Sequence, residues 1–365
     1  MISSYGLLQQ EGELLAAVSW ETVVLDEAQA IKNMATQRSQ AAMNLQAGFR
    51  LITTGTPLEN HLGELWNLFR FINPGLLGSH KSFNDRFAGP IERQQDKKAR
   101  NHLRKLIRPF ILRRTKSQVL EELPSRTEIV YHVELGSEER AFYEALRQQS
   151  LERIAQADDP GKLRFQILAE LMKLRRACCN PRLVMPGVGL PGAKLAAFTE
   201  IVTELRDNGH KALVFSQFVD HLAILRAELE RLKMAYQYLD GSTPVKERKK
   251  AVDSFQAGDG EIFLISLKAG GSGLNLTAAD YVIHMDPWWN PAVEDQASDR
   301  AHRIGQLRPV TIYRLVTRQT IEEQIVELHR SKRDLADSLL EGSDMGSRVT
   351  AEDLLTLLRE NRAES

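Results

Sequence analysis

The sequence predicts an α/β protein made of part of one α/β lobe, a helical middle and a complete second α/β lobe. Three observations carry this. Short, near-continuous apolar runs alternate with helical stretches in the first 75 residues and again after residue 192, the pattern of parallel strands covered on both faces. Between them, residues 80–185 are mostly charged amphipathic helix with few strand signals. The run PGVGLPG at 186–192 punctuates the boundary before the second alternation.

Taken in order, VVL at 23–25 reads as a strand and 36–45 as a helix. RLITTGTP at 50–57 reads as a strand ending in a turn. A helix follows, with Leu62, Leu65, Leu68 and Phe69 on one face. LRQQSLERI and FQILAELMKLRRACC typify the helical middle. Beyond the linker, the strand cores are ALVF (212–215), YQYL (236–239), FLIS (263–266), YVIHM (281–285) and TIYRLV (311–316). Helical stretches such as VDHLAILRAELERL, KERKKAVDSF and AVEDQASDRAHRI separate them, and IEEQIVELHRSKRDLADSLL is helical in period. The organisation expected is 1–75 for the first lobe, 76–190 for the helical middle and linker, 191–330 for a second lobe able to fold alone, and 331–365 for a C-terminal helical segment.

Lys plus Arg equals Asp plus Glu at 48 each, so no global field draws the chain to polyanions. An anionic partner must be met by local patches, for which KERKK (246–250) and LRRTK (112–116) are candidates, or else solvated helix faces. The two cysteines, Cys178 and Cys179, are adjacent, which suits neither an ordinary disulfide nor a zinc cage. A reducing, cytoplasmic setting is expected. No apolar run approaches the roughly 20 residues of a membrane span, and MISSYGLLQQEGELL has no signal-peptide pattern.

Several stretches could carry chemistry. In VVLDEAQA, a strand delivers Asp26 and Glu27 together. Asp26 could hold magnesium through water while Glu27 orients and deprotonates an attacking water. The pair could equally cap the next helix at its positive end. In LITTGTPLEN, Thr54 and Thr56 around Gly55 could sit beside those carboxylates, or serve only the turn. ISLKAGGSGLNL places Gly270, Gly271 and Gly273 after a strand, allowing close backbone approach to phosphate. In DQASDRAHRIGQ, Arg300 and Arg303 are three apart and so expected on one helix face, either clamping phosphates or pairing with Asp295 and Asp299. DPWWNP offers Trp288 and Trp289, at least one expected in the core. The phosphate loop G-x-x-x-x-G-K-[ST] does not occur in the chain.

The order of these motifs is more specific than any one of them. SYGLL, VVLDEAQAIKN, LITTGTPLEN, IRPFILRRTK, LVFSQF, YLDGST, SLKAGGSGLNL and DPWWNPAVEDQASDRAHRIGQ together resemble the Swi/Snf-type helicase-like ATPases of superfamily 2, across essentially the whole chain. DEAQ is similar to the prokaryotic branch. The resemblance implies tandem RecA-like lobes, the first incomplete at its N-terminus, with helical insertions between them and a C-terminal helix. ATP and Mg²⁺ are the implied cofactors, and double-stranded DNA, gripped by its backbone, the implied partner.

Carried over residue by residue, Asp26 and Glu27 resemble the metal-binding and water-activating carboxylates. Gln29, Thr54, Gly55, Thr56 and Gly273 resemble residues coupling nucleotide state to lobe closure. Arg300 and Arg303 resemble the arginines that reach the phosphates, with Gln296 and Asp299 organising that helix. Ser216, Gln217, Gly241, Ser242, Thr243, Ser266, Lys268, Trp288, Trp289, Arg113 and Arg114 fall in DNA-contacting segments. The family's phosphate-binding lysine and adenine-recognition segment lie upstream of SYGLL. The chain is therefore expected to be the C-terminal portion of a longer enzyme, inactive in hydrolysis alone and exposing apolar surface over 20–75. The resemblance also implies a cytoplasmic, nucleoid-associated protein. Two other readings are a catalytically inactive DNA- or protein-binding module, and an RNA- or RNA-polymerase-associated remodeller.

Overall fold

The computed structural model describes residues 1–365 except 56–60, 115, 121, 157–159, 270–272 and 329–365. Thr56, Gly270, Gly271 and the segment 331–365 therefore lie outside the described residues. The chain forms two compact units, residues 1–112 and 113–328.

In the first unit, β1 (Ser19–Leu25) and β2 (Gln46–Ile52) pair in parallel, with Leu25 opposite Ile52. The helix between them, Gln37–Asn44, starts where the Thr36 hydroxyl accepts from the Ser39 amide. The next helix, Leu62–Ile72, serves two cores. Leu68 and Phe71 pack on the sheet side with Leu25 and Ile31. Leu65, Trp66 and Phe69 face Phe83, Ile91, Leu103 and Ile107 of the helices that follow. Burying both faces explains why this helix is apolar almost all round. Val24, Phe49 and Leu51, by contrast, are 52%, 59% and 43% exposed, so one side of β1 and β2 presents apolar surface.

The second unit is built on a six-stranded parallel sheet. Its strands are β3 (Arg126–Val133), β4 (Ala212–Ser216), β5 (Tyr236–Leu239), β6 (Ile262–Ser266), β7 (Tyr281–His284) and β8 (Val310–Thr317). The order is β3-β8-β7-β4-β6-β5. β4 and β6 are buried along their whole length, and alternate residues enter opposite cores. Val214, Leu264, Ile283 and Leu315 fill one. Leu213, Phe215, Phe263, Ile265 and Ile312 fill the other. Apolar residues on both faces are what the continuous runs in the sequence encode.

Two expectations need correction. The helical middle contains a strand, since RTEIVYHV forms β3 and pairs with β8 from Arg126↔Val310 to Val133↔Thr317. The sheet is thus not confined to residues beyond the Pro/Gly linker. Secondly, the helix at 291 ends at Ser298, so Arg300 and Arg303 lie in a turn and do not share a helix face. The turn is held from outside the helix. The Leu276 amide donates to the Arg300 carbonyl, and the Gln306 side-chain amide donates to the carbonyls of Ala279 and Ala301. The Arg300 and Ala301 carbonyls, which another helical turn would use, are thus engaged by partners from outside the helix.

The helices Ser137–Ala155 and Pro160–Cys179 pack together, and Ile321 and Ile325 join their core. Among the described residues no helix is long and apolar enough to cross a membrane.

Candidate functional site

At the carboxyl end of β1 the chain turns sharply, and Glu27 takes a left-handed backbone conformation with φ 50°. Asp26 and Glu27 then diverge. Asp26 Oδ1 accepts from the Thr53 hydroxyl at 2.5 Å and from the Glu27 amide at 3.0 Å. Glu27 Oε2 accepts from the Gln29 side-chain amide at 2.7 Å. Gln29 in turn receives the Thr54 hydroxyl on its Oε1 at 2.9 Å. The backbone locks the two strand ends together, with Thr53 donating to the Leu25 carbonyl and Ala28 to the Thr53 carbonyl. Asp26, Glu27, Gln29 and Thr54 are therefore one hydrogen-bonded group. Gly55 follows directly, with open space where a side chain would stand.

Two members of this group escape motif reading. Thr53 is the residue bonded to Asp26, and the Tyr5 hydroxyl donates to the Asp26 carbonyl at 2.8 Å. Burial, followed by the charges of Asp26 and Glu27, pushes the Tyr5 phenol up to about 12. The sequence signal for Tyr5 was its place in SYGLL. For Thr53 it was only adjacency.

In the second unit, candidate residues gather at the carboxyl ends of neighbouring strands, where ligands bind in open parallel sheets. After β4, Ser216 is buried. Its hydroxyl donates to Asp286 at 2.5 Å, and the Gln217 amide also meets that carboxylate, at 3.3 Å. After β5, Asp240 organises a turn by accepting from the Ser242 amide and hydroxyl at 2.8 and 2.6 Å, which holds its carboxyl below the usual range. Gly241 and Ser242 are exposed at the tip, with Thr243 half-buried. After β6, Ser266 is buried with its hydroxyl accepting from Ala269, while Lys268 is exposed and Gly273 has φ +87°. Arg248 joins two of these loops by donating to the carbonyls of Ala269 and Asp240. One charge of KERKK is thus internal.

After β7, Trp288 and Trp289 are both half-buried and diverge into different cores. Arg175, wholly buried, stacks its guanidinium 5.1 Å from the Trp289 ring and donates to the Pro287 carbonyl at 2.5 Å. Nearby, Cys179, His221 and Asp286 bring potential metal-ligand atoms within 4.8 Å of one another. Arg175 already stands 4.0 Å from Asp286, so a fixed organic cation occupies the role a metal would take. Burial first, then Lys194, lowers His221 to about 3, leaving it neutral.

The turn after Ser298 completes the survey. Arg300 is buried and Arg303 exposed, with Arg303 Nη1 donating to the Leu274 carbonyl at 3.3 Å. Asp295 pairs with Arg126 and Arg314, and Asp299 with Arg126 and Lys116. Arg314 also reaches buried Glu294 at 2.8 Å and Glu128 at 2.5 Å. Burial alone would lower the Arg314 guanidinium, but Glu294 and Glu128 outweigh it and raise it. Gln296, half-buried, lies on the same short helix. Arg113 and Arg114 are exposed.

A family profile described as SNF2-related domain matches residues 1–183, half of the chain. The chain belongs to the SNF2-related family. A second profile, the helicase conserved C-terminal domain, matches residues 193–305. The chain is 38% identical to the putative ATP-dependent helicase/translocase YwqA of Bacillus subtilis (strain 168), covering 97% of this chain and 39% of that protein. It is 39% identical to an uncharacterized ATP-dependent helicase of Mycoplasma pneumoniae, covering 98% of this chain and 34% of that one. Thus the SNF2-related chain spans well under half the length of these relatives. The Sulfolobus solfataricus SWI2/SNF2 ATPase core in complex with dsDNA matches with a TM-score of 0.53 at 35% identity, over 98% of this chain and 74% of that one. The parallel-sheet architecture is that of the tandem RecA-like SWI2/SNF2 core.

Proposed function

We propose that this chain is the C-terminal part of the motor of an ATP-dependent double-stranded DNA translocase or remodeller. The observation that carries the reading is the group formed by Asp26, Glu27, Gln29, Thr53 and Thr54 at the ends of β1 and β2. Its donors to a cation are oxygens only, which suits magnesium. Asp26 would hold that ion through water, and the ion's charge would neutralise nucleotide phosphates.

The protein's own part is positional. The left-handed turn at Glu27 and its bond from Gln29 fix the carboxylate, which would orient a water and take its proton. Thr54 and Gly55, joined to Gln29, supply the coupling between nucleotide and fold. Arg300 and Arg303 are the guanidiniums for the phosphates, where each arginine of this kind is worth roughly 10³–10⁵ in rate. Lys268, Ser242, Gly241, Thr243 and Gln217 stand at loop ends available for backbone phosphates, which carry no base sequence. Trp288 and Trp289 shape the neighbouring loop. The setting is the cytoplasm, at the nucleoid.

The chain holds no G-x-x-x-x-G-K-[ST], so by itself it releases no phosphate from ATP. Phosphate release is measured for this chain and for a fusion restoring such a segment, each with duplex DNA, RNA or neither. DNA-stimulated turnover by the fusion, lost in Glu27→Gln, is the expected result. No turnover by the fusion would return the protein to a binding module, and equal stimulation by RNA would move it to the RNA- or RNA-polymerase-associated class.

A further inference from the structure

The helix Lys97–Ile107 is the most asymmetric charged element of the described structure. From residue 97 to residue 114 the chain carries eight Lys or Arg and no Asp or Glu, within a molecule of formal net charge zero. Asp96 begins the helix by accepting from the amides of Lys98 and Ala99. Leu103 and Ile107 are buried in the core of the first unit, fixing which side faces inward. At 3.6 residues per turn, Lys97, Lys98, Arg104, Lys105 and Arg108 then fall within an outward arc of about 120°. Lys98, Lys105 and Arg108 are exposed, and no ion pair restrains them among the described residues.

We propose that this helix face is a second polyphosphate-binding surface, separate from the loops of the sheet, whose ligand is the backbone of duplex DNA. The proposal rests on the DNA-translocase reading and extends the contact beyond Arg113 and Arg114 to the helix before them. From Lys98 to Arg108 the stripe runs about 15 Å, which matches the rise of roughly four phosphates on one strand. A bilayer is the poorer ligand, because the helix commits Leu103 and Ile107 to the core and its outward arc is cationic rather than apolar. Like charges held side by side without carboxylates repel one another, so releasing counterions from phosphate is the favourable way to relieve them.

The test is fluorescence anisotropy of a labelled random-sequence duplex with the whole chain, titrated from 50 to 200 mM salt. Each phosphate contact contributes about −0.9 to the slope of log K against log salt. The triple variant Lys98→Gln, Lys105→Gln, Arg108→Gln is expected to flatten that slope by about 2 to 3, with equal loss across sequences. Its unfolding midpoint should match the parent, since the three side chains are exposed. The charge-conserving triple Lys98→Arg, Lys105→Arg, Arg108→Lys should keep the parent slope. Duplex binding with an unchanged slope in the neutralised triple overturns this surface while leaving the translocase reading intact. No duplex binding by the parent overturns the reading beneath it. A slope change seen with duplex RNA or phosphatidylserine vesicles but not with DNA overturns the assignment to DNA.

Discussion

Lys194 Nζ and Glu322 Oε2 lie 2.7 Å apart with both side chains wholly buried, joining the helix after the linker to the segment after β8. Lys194 also donates to the Met285 carbonyl, and Glu322 accepts from the Thr317 amide. Burial would lower the lysine, but Glu322 outweighs it and raises it. Removing one partner strands a charge in the core. Lys194→Met or Glu322→Leu should each destabilise the second unit by about 3–5 kcal/mol, read as the denaturant midpoint. The double variant Lys194→Met, Glu322→Leu should recover part of that loss. Strictly additive losses would show that the two residues do not act as a pair.

Acid stability of the second unit should depend on His221. Its folded value is depressed to about 3 by burial and by Lys194, against 6.5 for the free ring. Stability is therefore complete above pH 6.5 and declines as pH falls toward 3, because only the unfolded chain takes up the proton. His221→Asn should flatten the unfolding midpoint between pH 6 and pH 4. An unchanged acid limb would place the titrating group elsewhere.

At the alkaline end, Tyr5 reports on the carboxylate turn. Its phenol is raised to about 12, so the folded unit keeps it protonated after the unfolded chain has begun to ionise near 10. Stability present below pH 10 is lost as pH rises through 12. Tyr238 is raised to about 12 as well and Tyr143 is also raised, so absorbance at the tyrosinate band should show several late-titrating phenols, of which one disappears in Tyr5→Phe. In Asp26→Asn the same phenol should titrate earlier.

Glu27 holds a left-handed backbone that glycine adopts without strain. Glu27→Gly should raise the stability of the first unit by about 1 kcal/mol, whereas Glu27→Gln should not. Both remove the carboxylate, so both should abolish turnover in a hydrolysing fusion. A Gly variant less stable than Gln would mean that the Gln29 bond outweighs the strain.

The thiols offer a simpler check. Burial pushes Cys178 and Cys179 above the ordinary thiol range, and both are free. Neither should react with a thiol reagent until the unit unfolds, so reaction in the native state would show that this core opens.

The parts of the fold legible in sequence were those whose burial is uniform. ALVF and FLIS, apolar on both faces, marked β4 and β6 nearly to the residue. β3 was hidden because it is an edge strand with only Val133 buried, so RTEIVYHV reads as surface. The turn after Ser298 was hidden for another reason: what stops the helix is Gln306 and Leu276 bonding from outside it. In the candidate site, motif order supplied Asp26, Glu27, Gln29 and Thr54. Partners distant in sequence, such as Arg126 on Asp295 and Arg175 on Pro287, carry no local signature, since register and packing alone bring them together.

β3 has a consequence for where the chain can be divided. It precedes the glycine-rich linker in sequence yet forms the border of the sheet that follows. A protease or a gene split acting at that linker would leave β8 as a bare edge, its outer amides and carbonyls unpaired along Val310–Thr317. The severed piece should then seek a replacement strand, either from its own lost half added in trans or from another copy of itself. Complementation by a peptide spanning 126–133 should restore solubility to a fragment that otherwise self-associates.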